Sequence, residues 1–404
     1  MYEPLSAFAD IHYGKSPIGI VDAEGVIPIY GTGGVYGQAT TSLFPGPAVI
    51  VPRKGSLSST HFADGPFWAS DTTYAAIPKK GVDAKWLYYQ LSLFNLEALN
   101  EATGVPSINR DWLAKIGIFP HHHYQQITIS RVLRALDTLI EATEGLIAKQ
   151  ERVRAGLLQD LFTRGVDDHG QLRPPRDQAP HLYHQTELDW LPLGWEVMNL
   201  SNACSVIRDG THLPPQRTEA GPLLLSVRNM VDGGIQLTES DERVPESFFE
   251  IMHRNWRIRP GDTLLAIVGA TIGKTCQVPD EFPKFTLQRS VCVLRGETGI
   301  LTPDFLALLI QRPAFYTALW SRANQTAQPG IYLDQIAKIS VPVPLMHEQQ
   351  TVCAAMKAAS GRIAALKADL SKLRLQKSGL MQDLLSGKVS VAPLLERTLE
   401  SVPA

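Results

Sequence analysis

A stretch near the middle of this chain is written twice. Pro106, Ile108, Asp111, Ala114, Lys115 and Ile116 recur as Pro329, Ile331, Asp334, Ala337, Lys338 and Ile339, always 223 residues on. Gly156-Leu157-Leu158-Gln159-Asp160-Leu161 returns at the same offset as Gly379-Leu380-Met381-Gln382-Asp383-Leu384. The stretch from Pro120 to Gln126 answers that from Pro344 to Gln349 with a one-residue slip, as expected of a loop. A repeat of this length means two half-molecules, each ending in the same kind of segment.

That shared segment is a long helix in both copies. Val352, Met356, Ala359, Ile363, Leu366, Leu370, Leu373, Leu380 and Leu384 recur at alternating spacings of four and three, with Lys377 as the one interruption. This is a heptad seam. The first copy reads Ile129, Leu133, Leu136, Ile140, Thr143, Ile147, Gln150, Arg154, Leu157 and Leu161, and the interruption is again basic, at Arg154. Two matching helices of about 38 residues, roughly 57 Å long, most simply pair with each other. A polar, Pro-rich linker lies between Val166 and Trp190. It has only to step across if the helices are antiparallel, but must run nearly taut along a whole helix if they are parallel. The expected architecture is therefore α+β (mixed α/β): two globular parts at opposite ends of an antiparallel coiled coil, related by a pseudo-two-fold axis. The expected boundaries are 1–120 for the first globular part, 121–166 for the first helix and 167–190 for the linker. The second globular part is expected over 191–344, the second helix over 345–389 and a tail over 390–404. Runs such as Val26–Tyr30, Ala48–Pro52, Pro222–Val227 and Thr263–Val268, bounded by Gly, Pro and Asp, predict short strands. Short helices are expected near Ala84–Glu101 and Pro303–Trp320.

Composition excludes whole classes. The 404 residues carry 38 Lys+Arg against 40 Asp+Glu, so bulk charge does not coat nucleic acid, although a localised basic face remains open. No apolar run reaches the roughly 18 residues a membrane crossing needs, and Met1-Tyr2-Glu3-Pro4 lacks the basic start of a secretory signal. Cys204, Cys276, Cys292 and Cys353 are dispersed, as expected of reduced thiols in a cytoplasm.

Catalytic motifs are not legible. Gly269-Ala-Thr-Ile-Gly273-Lys274-Thr275 is one residue short of the phosphate-cradling loop, whose length sets its geometry, and reads as a turn. Gly31-Thr-Gly33-Gly34 follows a strand, but no acidic residue near position 52 supports a dinucleotide fingerprint. His121-His122-His123 reads as an exposed turn, because adjacent side chains diverge and no further ligands complete a tetrahedral set. Neither a metal site nor a cofactor site is expected. Two unlike globular parts held at a fixed distance suit the reading of two targets at a set spacing, such as a split DNA site. A coiled-coil adaptor whose globular parts bind protein fits the same physics.

Several segments together resemble the specificity (S) subunit of Type I restriction–modification systems across nearly the whole chain. Ile27-Pro-Ile-Tyr-Gly-Thr-Gly-Gly-Val-Tyr-Gly37, Arg53-Lys54-Gly55-Ser56 and Trp68-Ala-Ser-Asp71-Thr72 look like one class of target-recognition domain. Pro192-Leu-Gly-Trp195, Asp209-Gly-Thr-His212, Arg228-Asn229, Gly261-Asp262 and Gly269–Lys274 look like another. Pro344 with Glu348-Gln349 looks like the start of the second conserved helix. The first half departs from the pattern twice: it lacks a counterpart of Pro192–Trp195, and it has Tyr124-Gln125-Gln126 where the second half has Glu348-Gln349.

The resemblance implies a non-enzymatic reader of double-stranded DNA that docks two methyltransferase subunits and, in a complete system, restriction subunits. S-adenosylmethionine, ATP and magnesium would be bound by those partners. Adenine methylation, cleavage and host defence would follow from the assembly. The surplus of Lys and Arg over Asp across 357–388 is consistent with such docking. Base reading needs Arg, Lys, Asn or Gln, with Ser and Thr on phosphates. The candidates in the first half are Arg53, Lys54, Ser58, Ser59, Thr72 and Thr73. In the second half they are Arg208, Thr211, His212, Arg217, Arg228, Asn229, Lys274, Gln288, Arg289 and Gln328. Lys274 is expected on a phosphate and Arg228 on a base.

Overall fold

The computed structural model describes residues 2–212, 214–231, 233–324 and 329–391. They form two compact units. One gathers residues up to Ile147 with those from Ala365 on, and the other is Ala148–Ala364.

In the first unit four antiparallel strands lie in the order Ala9–Tyr13, Thr73–Pro78, Ala48–Pro52, His61–Ala63. Ala48–Pro52 has no polar alternation because both of its faces are covered, and all five residues are buried. Val49 and Val51 pack with Tyr74, Trp86 and Leu87 of the helix Ala84–Ser92, while Ala48 and Ile50 pack with Ala75, Phe67 and Ala69 on the other side. A second sheet pairs Ile27–Gly31 with Gly34–Ala39 and, in parallel, with Trp68–Ala69.

The second unit repeats this plan. Its four strands lie in the order Cys204–Asp209, Val291–Gly296, Thr263–Ala266, Thr275–Gln277. Thr218–Leu225 pairs in parallel with Phe285–Leu287, the counterpart of Ile27–Gly31 with Trp68–Ala69. The Gly261-Asp262 motif is an internal anchor. Buried Asp262 takes Nε and Nη2 of Arg295, both at 2.7 Å, and the backbone N–H of Arg259.

The two long helices are His123–Thr163 and Met346–Leu385. In the first unit Ile129 and Leu133 share a core with Met381, Leu384 and Leu385, Asp137 meets Lys377 at 2.5 Å, and Glu144 meets Arg374 at 2.6 Å. One number rises as the other falls, so the segments are antiparallel there. In the second unit Leu158, Leu161 and Phe162 pack with Val352 and Met356, and Arg154 Nε donates to Ser360 Oγ at 2.9 Å, in the same sense. The two basic interruptions of the seam thus sit at equivalent places. Lys377 finds a carboxylate at Asp137, and Arg154 finds a hydroxyl at the matching Ser360.

Three expectations change. Leu380 is exposed and its neighbour Met381 is buried, just as Leu158 is more buried than Leu157, so the seam steps over by one residue in the last turns. The slip expected near the helix starts does not occur, because His121 O and Pro344 O hold identical places, accepting from Nε2 of Gln126 and Gln349. The segment expected as a bare linker carries a β-bridge between Val166 and Leu172 and a hairpin of Tyr183–Thr186 with Asp189–Pro192. No helix among the described residues is long and apolar enough to cross a membrane.

Candidate nucleic-acid interface

In each unit the parallel strand turns tightly into the next strand of the four-stranded sheet. In the first, Ser70 N donates to Tyr30 O at 2.9 Å, and Ser70 O accepts from Thr73 N at 3.0 Å and Thr73 Oγ1 at 2.9 Å. Thr72 Oγ1 meets Ser70 Oγ at 2.7 Å. This leaves Asp71 exposed at the tip. Arg53 braces the turn, with its N–H on Thr72 O at 2.8 Å and its Nη1 on Asp71 O at 2.8 Å. Its guanidinium lies 5.1 Å from the Tyr13 ring centre, and that of Arg110 lies 5.5 Å from the same ring. Gly14 is required here, since a Cβ would stand 2.0 Å from Ser70 O. Beside the turn a hollow of about 410 Å³ is lined by Gly31, Thr32, Gly34, Tyr36, Asp71 and Thr72. Lys54, Ser58 and Ser59 are exposed on the adjoining loop, where Gly55 N donates to Pro106 O at 2.9 Å.

The second unit builds the same turn from other residues. Gln288 N donates to Leu225 O at 2.9 Å, Val291 N to Gln288 O at 3.1 Å, and Ile267 N to Ser290 O at 2.9 Å. Arg289 occupies the tip, exposed, and Gln288 is half-buried. Gly210 stands where Gly14 does, since a Cβ on it would lie 2.0 Å from Leu287 O. His212 Nε2 meets Asp209 Oδ2 at 2.8 Å. A hollow of about 460 Å³ is lined by Asp209, His212, Ile267, Arg289, Tyr332 and Leu333. Arg208 and Lys274 are exposed on a strand and a turn of the same unit. Gly269–Lys274 is a closed turn. Gly269 N donates to Pro329 O at 2.7 Å, Gly273 N to Ala266 O at 3.0 Å and Lys274 N to Thr271 O at 3.0 Å. Those backbone groups are spent on carbonyls, so they cannot cradle a phosphate.

Several expected contacts are corrected. Thr73 is wholly buried, with its hydroxyl on Ser70 O. Thr211 is buried, its N–H on Leu287 O. Asn229 is buried and ties a loop together, with Oδ1 accepting from Ser226 N and Nδ2 donating to Asp241 Oδ1 at 2.8 Å. Arg228 is exposed but bonded to the same Asp241 carboxylate at 3.1 Å. Arg217 is paired with Glu242 at 2.8 Å. Gln328 lies outside the described residues. Tyr13, Asp71, Arg110 and Tyr332 were not among the candidates. Acidic and aromatic residues fall outside a search for Arg, Lys, Asn, Gln, Ser and Thr, and Arg110 is marked only by its place over the Tyr13 ring.

The three histidines are not one exposed turn. His121 is half-buried and its Nδ1 accepts from Trp86 Nε1 at 3.3 Å. Among the described residues no group of His, Cys, Asp or Glu could hold a metal. All four cysteines are unpaired in disulfide terms. Burial pushes the thiols of Cys204 and Cys276 up to about 12 and that of Cys353 to about 11, far from a reactive thiolate.

The fold and the two turns define a class: a duplicated protein whose halves share one scaffold and show different side chains at the same exposed position. The chain belongs to the family described as Type I restriction modification DNA specificity domain, whose pattern matches residues 4–152 and 249–374. It is a specificity subunit of that family. It is 24% identical over 354 residues to the Type I restriction enzyme MjaVIII specificity subunit of Methanocaldococcus jannaschii, covering 86% of this chain and 77% of that one. The MjaIX specificity subunit of the same organism is 26% identical over 183 residues, 44% of this chain and 40% of its own. The fold is similar to the crystal structure of the S subunit from M. genitalium, with a TM-score of 0.58 at 16% identity over 95% of this chain and 96% of that one. A chain from a structural study of complex assembly in the type I R-M system gives 0.57 at 14% identity, over 96% and 98%.

Proposed function

We propose that each unit reads one half of a bipartite, asymmetric site in double-stranded DNA, while the paired helices fix the gap and dock two methyltransferase subunits. The chain itself is non-catalytic in this reading. S-adenosylmethionine, ATP and magnesium belong to the methyltransferase and restriction subunits, and the complex works in the cytoplasm. The observation that carries this is the duplicated turn: one backbone, held by equivalent hydrogen bonds, offering Asp71 in one unit and Arg289 in the other. Arg53, Lys54 and Thr72 are bonded into the first turn, and Ser58 and Ser59 are exposed on the loop that follows Lys54. His212 and Gln288 adjoin the second tip, and Arg208 and Lys274 are exposed elsewhere in the same unit. Phosphate contacts from such groups position a reader, and unlike base contacts give unlike half-sites.

Native DNA should be sequenced for modified bases in the host and in a strain lacking only this gene. Loss of one split, adenine-methylated motif is expected. An unchanged pattern, with the methyltransferase subunit still expressed, removes the DNA reading and leaves a protein-binding adaptor.

A further inference from the structure

The two turn tips are alike in backbone and opposite in charge. Asp71 and Arg289 each follow the residue whose carbonyl closes the turn and precede the residue whose carbonyl is held from the neighbouring loop. Both are exposed, and neither has an ion-pair partner among the described residues, although salt bridges are frequent elsewhere in both units. The first turn is not loosely built. Arg53 spends its Nη1 on the backbone carbonyl of Asp71 and leaves the carboxylate bare.

A bare carboxylate on a face that meets a polyanion is repelled by every phosphate and is tolerable only where it accepts from a base. In the major groove cytosine N4 is the suitable donor. Adenine N6 is less so, because the N7 acceptor beside it repels a carboxylate. An unpaired guanidinium at the same position has the complementary match, the O6 and N7 acceptors of guanine. We propose that Asp71 and Arg289 are the equivalent base-reading residues of the two units, Asp71 selecting a cytosine in one half-site and Arg289 a guanine in the other. This rests on the DNA-reading role proposed above.

The test uses the full chain assembled with its methyltransferase subunits, binding duplexes in which every position of the methylated motif is varied in turn. Asp71→Ala should flatten discrimination at one cytosine position of one half-site, by roughly 5- to 150-fold, and leave the other half-site sharp. Asp71→Asn should move the preference at that position from cytosine to adenine, since an amide can accept from N6 and donate to N7. Arg289→Ala should flatten one guanine position in the opposite half-site. The undisturbed half-site in each variant reports that the chain has folded. Unchanged selectivity, a uniform gain or loss over all sequences, or flattening at a different base overturns the assignment. A wild-type complex with no motif at all instead overturns the DNA-reading role itself.

Discussion

Gln126 and Gln349 make the same pair of hydrogen bonds in two different units. Gln126 Oε1 accepts from Asp83 N at 2.8 Å while its Nε2 donates to His121 O at 2.8 Å. Gln349 Oε1 accepts from Thr302 N at 2.9 Å while its Nε2 donates to Pro344 O at 2.9 Å. Asp83 and Thr302 are the N-caps of Ala84–Ser92 and Pro303–Leu309, so each glutamine locks a long helix to the start of a domain helix.

Both amides are buried; truncation leaves a backbone N–H and a carbonyl without partners at Gln126, and at Gln349 a second carbonyl as well, that of Ile300, to which Nε2 also donates at 2.6 Å. Gln126→Ala and Gln349→Ala should each cost about 1–3 kcal/mol for each orphaned group. Urea unfolding of the two variants measures this, and midpoints equal to wild type refute the locking role.

Glu348 carries a second joint within the Ala148–Ala364 unit. Its carboxylate is 2% exposed, accepts from Val166 N at 2.7 Å, and is forked by Arg173 at 2.5 and 3.2 Å. Glu348→Ala strands a largely buried guanidinium and should cost about 3–5 kcal/mol. Replacing both partners by apolar residues should recover much of that loss. A drop in the thermal midpoint for the single variant, partly restored in the double, is the expected pattern; equal drops argue against the pair.

Lys274 and Arg228 should separate cleanly. Lys274→Ala should weaken binding to all duplexes alike and reduce the salt slope by about one unit. Arg228 is bonded to Asp241, whose carboxylate is 1% exposed, so Arg228→Ala should lower stability and leave base selectivity intact. A salt titration of each variant on matched and mismatched duplexes tests both, and a selectivity change in Arg228→Ala reinstates it as a base reader.

Two histidines tie stability to pH. Burial holds the rings of His121 and His253 below their ordinary value of 6.5, and His253 Nε2 meets Thr286 Oγ1 at 3.1 Å. Protonation is therefore easier in the unfolded chain. Stability should fall as pH drops through about 6.5 and level off once the lower folded-state values are passed. Thermal midpoints at pH 7.5 and 5.5 should differ less in His121→Gln and His253→Gln than in wild type. A wild-type midpoint that does not change with pH contradicts this.

The repeat was plain in the sequence where side chains have one fixed partner. The two glutamines keep the offset of 223 with the same pair of bonds, and Ile108 and Ile331 keep it with N–H groups on Arg53 O and Ile267 O, while the helix seams keep it because each must face a partner helix. The strands lose it. Ala48–Pro52 and Thr263–Ala266 need only be buried on both faces, which many residues satisfy, and the loops between them differ in length. For that reason Arg53–Ser56 and Gly269–Lys274 read as unrelated motifs, although Gly55 and Gly269 make the same bond to Pro106 and Pro329. The turn tips were least legible of all. A candidate list built on Arg, Lys, Asn, Gln, Ser and Thr finds Arg289 and overlooks Asp71, and only the shared backbone shows them to be the same position.

The first unit is closed by residues from the far end of the chain. Met381, Leu384, Leu385 and Val391 lie in its core, and Gln90 Nε2 donates to Leu385 O at 2.9 Å. On the ribosome, every residue of the Ala148–Ala364 unit has been made while the first unit still waits for its last helix. The domain translated first is thus the last to be completed. A premature stop just after residue 364 should harm that domain more than the one encoded beside it.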